Sequence, residues 1–285
     1  MSSKNFYVIN NSGERELLSI NKMIASARRS GADIQLAKQI AESIQKKVKR
    51  DGVKTSEIYG WIKEMLTSQN PKSAMKYSLK EAIRKLGPAG YWFEKYISKL
   101  YEAYGYETKI NQIIKGICTD YEVDVLIWNN RDKKFSFGEC KYHNQAGVKV
   151  SISVILENYA SFIDLKEGKL AKSYSHKGYD VKRAIITNTK FTSKAVDYAN
   201  HYGVELLGWK YPRNKGLEYY IELNGYYPVT ILPSVNELVL AELYERDILF
   251  AKDLLDSKVQ NKLLKKPLNS ASVKKLIKEA EILYN

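Results

Sequence analysis

The sequence predicts a multidomain α+α/β protein: a helical amino-terminal domain over residues 1–86, an α/β domain with a mixed sheet over 87–232, and a helical carboxyl-terminal domain over 233–285. Three observations carry this. Apolar residues recur at helical spacing from Leu18 to Leu86. A strand–turn–strand signal and a strand–helix–strand signal, the latter suggesting a parallel pair, share the middle of the chain. Helical periodicity returns after Pro233 and ends in a lysine-rich run.

After a short extended start, Leu18, Met23, Ile24 and Ala27 lie near one face of a first helix, with Ser19 as its N-cap and Gly31 as its stop. A second helix follows, with Ile34, Leu36, Ala37, Ile40, Ala41, Ile44 and Val48 at helical spacing. A third begins at Thr55 or Ser56, and a fourth is read over "PKSAMKYSLKEAIRKL". The breakers of "LGPAG", residues 86–90, mark a boundary.

In "YWFEKYISKLYEAYG" the stripe Phe93, Ile97, Leu100, Tyr101 and Tyr104 predicts a helix closed by Gly105. "YEVDVLIWNNRDKKFSFGECKYH" reads as two strands around a polar turn at Asn129–Lys133. A helix from about Val150 to Leu165 precedes "KRAIITN", "SKAVDYANHYG" and "VELLGW", a strand–helix–strand unit implying a parallel pair.

Composition bounds the function. The chain has 285 residues, 44% apolar and 27% charged, as in ordinary globular proteins, but its net charge is +14. That surplus favours partners with phosphate backbones or anionic membranes, nucleic acid first, although some soluble proteins are simply basic. No apolar run approaches the ~18 residues of a membrane span, and the first residues lack the apolar core of a secretory leader. The two cysteines, Cys118 and Cys140, exclude a disulfide framework and read as reduced thiols, so a cytoplasmic location is expected. There is no GxxxxGK[ST] phosphate loop.

The chemistry centres on "GECKYHN", residues 138–144. Side chains two apart on a strand share a face, so Glu139 and Lys141 project together while Cys140 turns into the packing. A carboxylate can hold a hard cation, and an ammonium beside it can face an attacking water or a scissile phosphate. The acid–x–lysine spacing alone is weak. It recurs at Glu107–Lys109, Asp132–Lys134, Asp164–Lys166, Glu167–Lys169 and Asp180–Lys182, where solvated pairs worth about 0–1 kcal/mol are the ordinary expectation. Glu139 differs in ending an apolar strand whose antiparallel neighbour carries Asp124. An acid there is costly unless a metal or a lysine pairs with it.

"GYWFEKYISKLYEAYGYET…DYEVDVLIW…FSFGECKYHN", with "AIITNTKFTSKAVDYANHYGVELLGW" downstream, resembles the PD-(D/E)xK restriction-endonuclease fold in its Mrr-like branch, over about residues 90–210. The resemblance implies a Mg²⁺- or Mn²⁺-dependent DNA endonuclease, with Asp124, Glu139 and the backbone carbonyl of Cys140 as metal ligands. It implies Lys141 as the charge-stabilising, water-orienting group and Glu94 as an auxiliary acid, although a solvated first-turn glutamate would also suit that helix position. Glu122, on the expected face of the same strand, rivals Asp124, which matches the family position. His143 and Asn144 either contact phosphate or water or cap their loop; Asn188 and Lys190 either touch DNA or form a plain strand–helix turn.

Residues 5–86 resemble the ATP-cone, a small helical nucleotide-binding module. The resemblance implies ATP or dATP near Arg15 and Lys22, but Asn10 and Asn11 stand where the family has phosphate-holding basic residues. The carboxyl-terminal lysines read as a phosphate-tracking or merely solvated helical face. A homodimer is the expectation for a double-strand cut. Two alternatives stand beside the nuclease: a nucleotide-responsive DNA-binding protein without cleavage, and a structure-selective nuclease such as a Holliday-junction resolvase.

Overall fold

The computed structural model describes residues 6–87, 90–264 and 270–285. Pro88 and Ala89 of the predicted boundary, and the "KKPLN" part of the basic carboxyl-terminal run, lie outside the described residues. The chain divides into two units, Met1–Ala82 with Tyr227–Asn285, and Ile83–Tyr226. The ends of the chain, read from sequence as separate domains, therefore belong to one unit, and the boundaries fall a few residues before those expected.

The first unit begins with strands β1 (Tyr7–Ile9) and β2 (Arg15–Leu17), then helices α1 (Ile20–Arg29) and α2 (Ile34–Lys47). Strand β3 (Val53–Lys54) leads into α3 (Thr55–Gln69), α4 (Pro71–Tyr77) and α5 (Leu79–Arg84). The strands form a sheet ordered β2-β1-β3, where sequence pattern suggested only a short extended start. Ser19 caps α1 by accepting from the Lys22 N–H at 3.2 Å, and Gly31, at φ +97°, follows its end. The expected fourth helix is two helices, because Ser78 turns its hydroxyl back onto the Ala74 carbonyl at 2.9 Å. Ala27, Ala37, Ile40, Ile44, Ile62 and Leu66 form the centre of the core.

The second unit opens with α6 (Tyr91–Ala103), followed by β4 (Glu107–Lys115), β5 (Asp120–Asn129), β6 (Lys134–Lys141) and β7 (Lys149–Val150). Then come α7 (Ile152–Glu167), α8 (Lys169–His176), β8 (Asp180–Thr187), β9 (Lys190–Phe191), α9 (Ser193–Tyr202), β10 (Glu205–Leu207) and α10 (Leu217–Leu223). The main sheet is ordered β10-β8-β6-β5-β4. Its β4–β5–β6 half is antiparallel and its β6–β8–β10 half parallel, the mixture expected from sequence. β4 and α8 had not been singled out in the sequence. Residues of β4 alternate between exposed and half-buried on an edge strand, so no apolar run announces it.

The β5–β6 turn closes on Asn129, whose side chain accepts from the Arg131 and Asp132 N–H groups, both at 2.9 Å. Phe135, Phe137, Leu126 and Val181 pack with Phe162 and Leu165 of α7, while α6 packs on β4 and β5. Gly138 is required where it stands, because a Cβ would lie 2.6 Å from the Val125 carbonyl oxygen.

In the closing segment of the first unit, α11 (Glu237–Glu245), a 3₁₀ turn (Ala251–Leu255), α12 (Ser257–Leu264) and α13 (Ser270–Tyr284) follow one another. Helix α13 buries Val273, Leu276, Ala280 and Leu283 and packs on α4 and the 3₁₀ turn. The Thr230 hydroxyl also donates to the Ala82 carbonyl at 2.7 Å, so the carboxyl-terminal segment is tied to the amino-terminal helices. No described helix is long and apolar enough to cross a membrane.

Candidate active site

The predicted acids and lysine meet at the carboxyl end of β6, the end at which open α/β sheets offer crevices to ligands. Glu139 lies one strand from β8, in register with Ile185. Its Oε1 accepts from Lys141 Nζ at 2.6 Å and its Oε2 from Arg183 Nη2 at 2.7 Å. Asp180–Lys182 is the comparable acid–x–lysine pair, at 3.1 Å, but both its side chains are more exposed, 58% and 37% against 16% for Glu139 and 35% for Lys141. Asp164 instead accepts backbone N–H groups of residues 117–119, and Glu167 pairs with Lys172. Burial therefore separates the Glu139 pair from its sequence look-alikes.

Asp124 sits where β5 loses strict alternation. Leu126 and Trp128 share a core with Val123 and Tyr121, so the facing pattern switches between Val123 and Leu126. On β4, Asn111 has φ +51° between the pairs Ile110–Val125 and Gln112–Val123. The last paired residues of β5 and β6 on this side are Val125 and Gly138; beyond them Asp124 Oδ2 accepts the Cys140 N–H at 2.7 Å. The side chain thus takes over where the backbone ladder stops. Glu122, its sequence rival, is exposed.

Burial, then the Glu139 charge, pushes the Asp124 carboxyl up to about 6, against the opposing Cys140 N–H, Lys141 and Arg183. Glu94, half-buried in the first turn of α6, is pushed up to about 7 by burial and by the charges of Asp124, Glu122 and Glu139. It is not the solvated first-turn glutamate that its helix position also allowed. Burial pulls the Lys141 ammonium down, but the hydrogen bond and charge of Glu139 outweigh it and its pKa is raised. Cys140 is buried and its thiol is held well above the usual range by desolvation, consistent with a packing role for its side chain.

Three residues that sequence reasoning missed complete the site. Arg183 is 3% exposed, and its Nε donates to Asn158 Oδ1 at 3.1 Å. Asn158 interrupts the buried stripe Ile155, Phe162 and Leu165 of α7, and Arg183 interrupts the buried run of β8. A polar residue on an apolar stripe was the available signal in both cases. Thr187 donates to the Lys141 carbonyl at 2.6 Å and is fully buried.

The four residues expected to touch nucleic acid separate. Asn188 is 1% exposed, with its Oδ1 accepting the His143 N–H at 2.9 Å and its Nδ2 donating to the His143 carbonyl at 2.8 Å. Its amide is spent on pinning the loop after β6 to the loop after β8, which corrects its assignment as a surface contact. His143 is half-buried, its pKa lowered by burial and by Lys141, while Asn144 and Lys190 are exposed. Of the expected nucleotide contacts, Arg15 pairs with Asp51 at 3.3 Å and Lys22 with Glu16 at 2.6 Å, both within the first unit. Asn10 accepts the Ser12 and Glu14 N–H groups at 2.9 and 3.0 Å, a turn-capping use. A cavity of about 960 Å³ also lies in the second unit, between tyrosines of α6 and the Lys134 end of β6, away from Glu139.

These features define a two-unit, mixed α/β protein with a buried acid–lysine–arginine cluster at the strand ends of its larger sheet. Comparison with known proteins adds the family. A family model described as AF1548-like, C-terminal, matches residues 227–284, the closing segment of the first unit. An uncharacterized protein of Archaeoglobus fulgidus is 34% identical over 185 residues, covering 65% of this chain and 98% of the relative. The crystal structure of a protein of unknown function, AF1548, is similar with a TM-score of 0.56 and 32% identity, over 68% of this chain and 97% of that one. The chain belongs to the AF1548-like family.

Proposed function

We propose that this protein is a metal-dependent endodeoxyribonuclease whose second unit is a PD-(D/E)xK restriction-endonuclease-like core of the Mrr-like branch. The observation that carries the reading is the convergence of Asp124, Glu139 and Lys141 at one strand end, with Glu139 and Lys141 in contact at 2.6 Å. The mixed sheet, with its antiparallel β4–β5–β6 half and parallel β6–β8–β10 half, supports the same reading.

The residues fit a hard divalent cation. Mg²⁺ keeps several waters and uses one or two carboxylates, and Asp124 and Glu139 supply two; the Cys140 carbonyl is the further ligand that the resemblance implies. Among the described residues no group of three or more His, Cys, Asp or Glu gathers as a metal site, so the fit rests on these two carboxylates. Burial first and neighbouring carboxylates second raise Asp124 and Glu94, and a bound cation would lower both. A bound Mg²⁺ or Mn²⁺ supplies charge stabilisation at phosphorus and acidifies a bound water. Lys141 adds an ammonium to the same side of Glu139 and stays charged at neutral pH. Glu94, pushed up to about 7, exchanges its carboxyl proton near neutral pH and is the group fitted to accept or return one. DNA as the partner is supported by the net charge of +14.

Within this reading the first unit includes an ATP-cone-like module, supported by its small sheet and the Ser19-capped helix that follows. ATP or dATP there has weak support, because Arg15 and Lys22 are already paired and Asn10 caps a turn. The test compares the wild type with Asp124→Ala, Glu139→Ala and Lys141→Ala on plasmid, methylated and four-way-junction DNA with Mg²⁺ or Mn²⁺. The expected result is metal-dependent cleavage by the wild type and at least a hundredfold loss in each variant. Cleavage that survives in all three variants ends the assignment.

A further inference from the structure

We infer that Arg183 is a built-in cation that orients Glu139 and limits the carboxylate cluster to one divalent ion per chain. The inference deepens the nuclease reading and rests on it for the identity of the ion. Arg183 stands on β8 in register with Phe137, two residues before the partner of Glu139, and its guanidinium reaches across to Oε2 at 2.7 Å. An arginine in a strand otherwise filled by Val181, Ala184, Ile185 and Ile186 is costly, because burying a charge is repaid only by good pairing.

The surroundings hold that charge in one place. Asn158 Oδ1 accepts from both Nε and Nη2 of Arg183, and Asn158 Nδ2 donates to the Val154 carbonyl at 2.9 Å. That last bond fixes the amide with its oxygen toward the guanidinium. Nη1 is buried without a hydrogen-bond partner among the described residues. The guanidinium is thus held between Asn158 and Glu139.

The two cations on Glu139 differ in kind. Lys141 has a flexible stem and is 35% exposed, so it can move from Oε1. Arg183 is 3% exposed and anchored by α7, so it stays on Oε2. Glu139 therefore has one oxygen to share with Asp124 around a single ion. A second divalent ion on Oε2 would face the guanidinium already bonded there at 2.7 Å, and like charges at that range repel strongly in a buried site.

The experiment titrates Mn²⁺ alone into the full chain, without DNA, and reads stoichiometry by calorimetry and by electron paramagnetic resonance of the bound ion. The wild type binds one Mn²⁺ per chain. Arg183→Met, checked for folding by circular dichroism, binds two, and their spectrum shows spin coupling. Arg183→Lys restores the charge and returns to one. Two ions on the wild type overturn the inference without needing any variant, and so does a single ion on a folded Arg183→Met. No Mn²⁺ on the wild type removes the metal-dependent reading itself, a different result from either of these.

Discussion

Ionised Glu94 is a liability to the metal-free fold, and replacing it by glutamine should stabilise the protein above neutral pH but not below. The carboxyl rises from its ordinary 4.5 to about 7, through burial first and then the charges of Asp124, Glu122 and Glu139. An acid whose native pKa exceeds its unfolded value binds its proton more tightly when folded. Its contribution is intact below about pH 4.5 and is lost as pH rises toward 7. At about 1.4 kcal/mol per pH unit the ceiling is ~3.4 kcal/mol. Glu94 is only half-buried, so solvent screening reduces this to about 1–2 kcal/mol. Asp124, raised to about 6, adds in the same direction at lower pH. The assay is urea unfolding with EDTA at pH 5 and pH 8, followed by tryptophan fluorescence. Trp92, Trp128 and Trp209, three of the four tryptophans, report on the second unit. Glu94→Gln should gain about 1–2 kcal/mol at pH 8 and much less at pH 5. Equal gains at both pH values, or a loss at pH 8, would refute the electrostatic argument.

Glu139→Gln should cost about 3–5 kcal/mol in the same unfolding assay, because it leaves the buried Arg183 guanidinium without its counter-ion. Asp180→Ala, which breaks the exposed pair of the same spacing, should stay within about 0.5 kcal/mol; similar costs for the two would mean that burial does not distinguish them. Asn188→Ala should cost about 2–4 kcal/mol by orphaning the His143 N–H and carbonyl, and hydrogen exchange at the His143 amide should rise with it. Unchanged protection there would show that Asn188 does not pin the loop.

Local periodicity and capping were legible because they depend on neighbours in the chain. Ser19, Gly31, Thr55, Gly105 and the Asn129 turn lie at or beside element ends, and Glu139 and Lys141 come together because a strand repeats every two residues. Where a residue's role depended on distant chain, sequence pattern fell short. The short spacing of Asp124 from β6 was readable, but the break in alternation that lets its carboxylate take the Cys140 N–H comes from the packing of Val123 and Leu126 and from Asn111 on another strand. Asn188 looked like a loop contact because polar residues after strands usually face water; here the facing loop consumes its amide. The first and last segments gave separate helical patterns, yet α13 packs on α4 and Thr230 bonds the Ala82 carbonyl within one unit. Arg183 was hidden for the same reason. A basic residue among many is unremarkable in a chain of net charge +14, and it acquires a partner and a consequence only when β8 lies beside β6 with α7 across their face. Burial by remote segments converts an ordinary charge into one that must be paired.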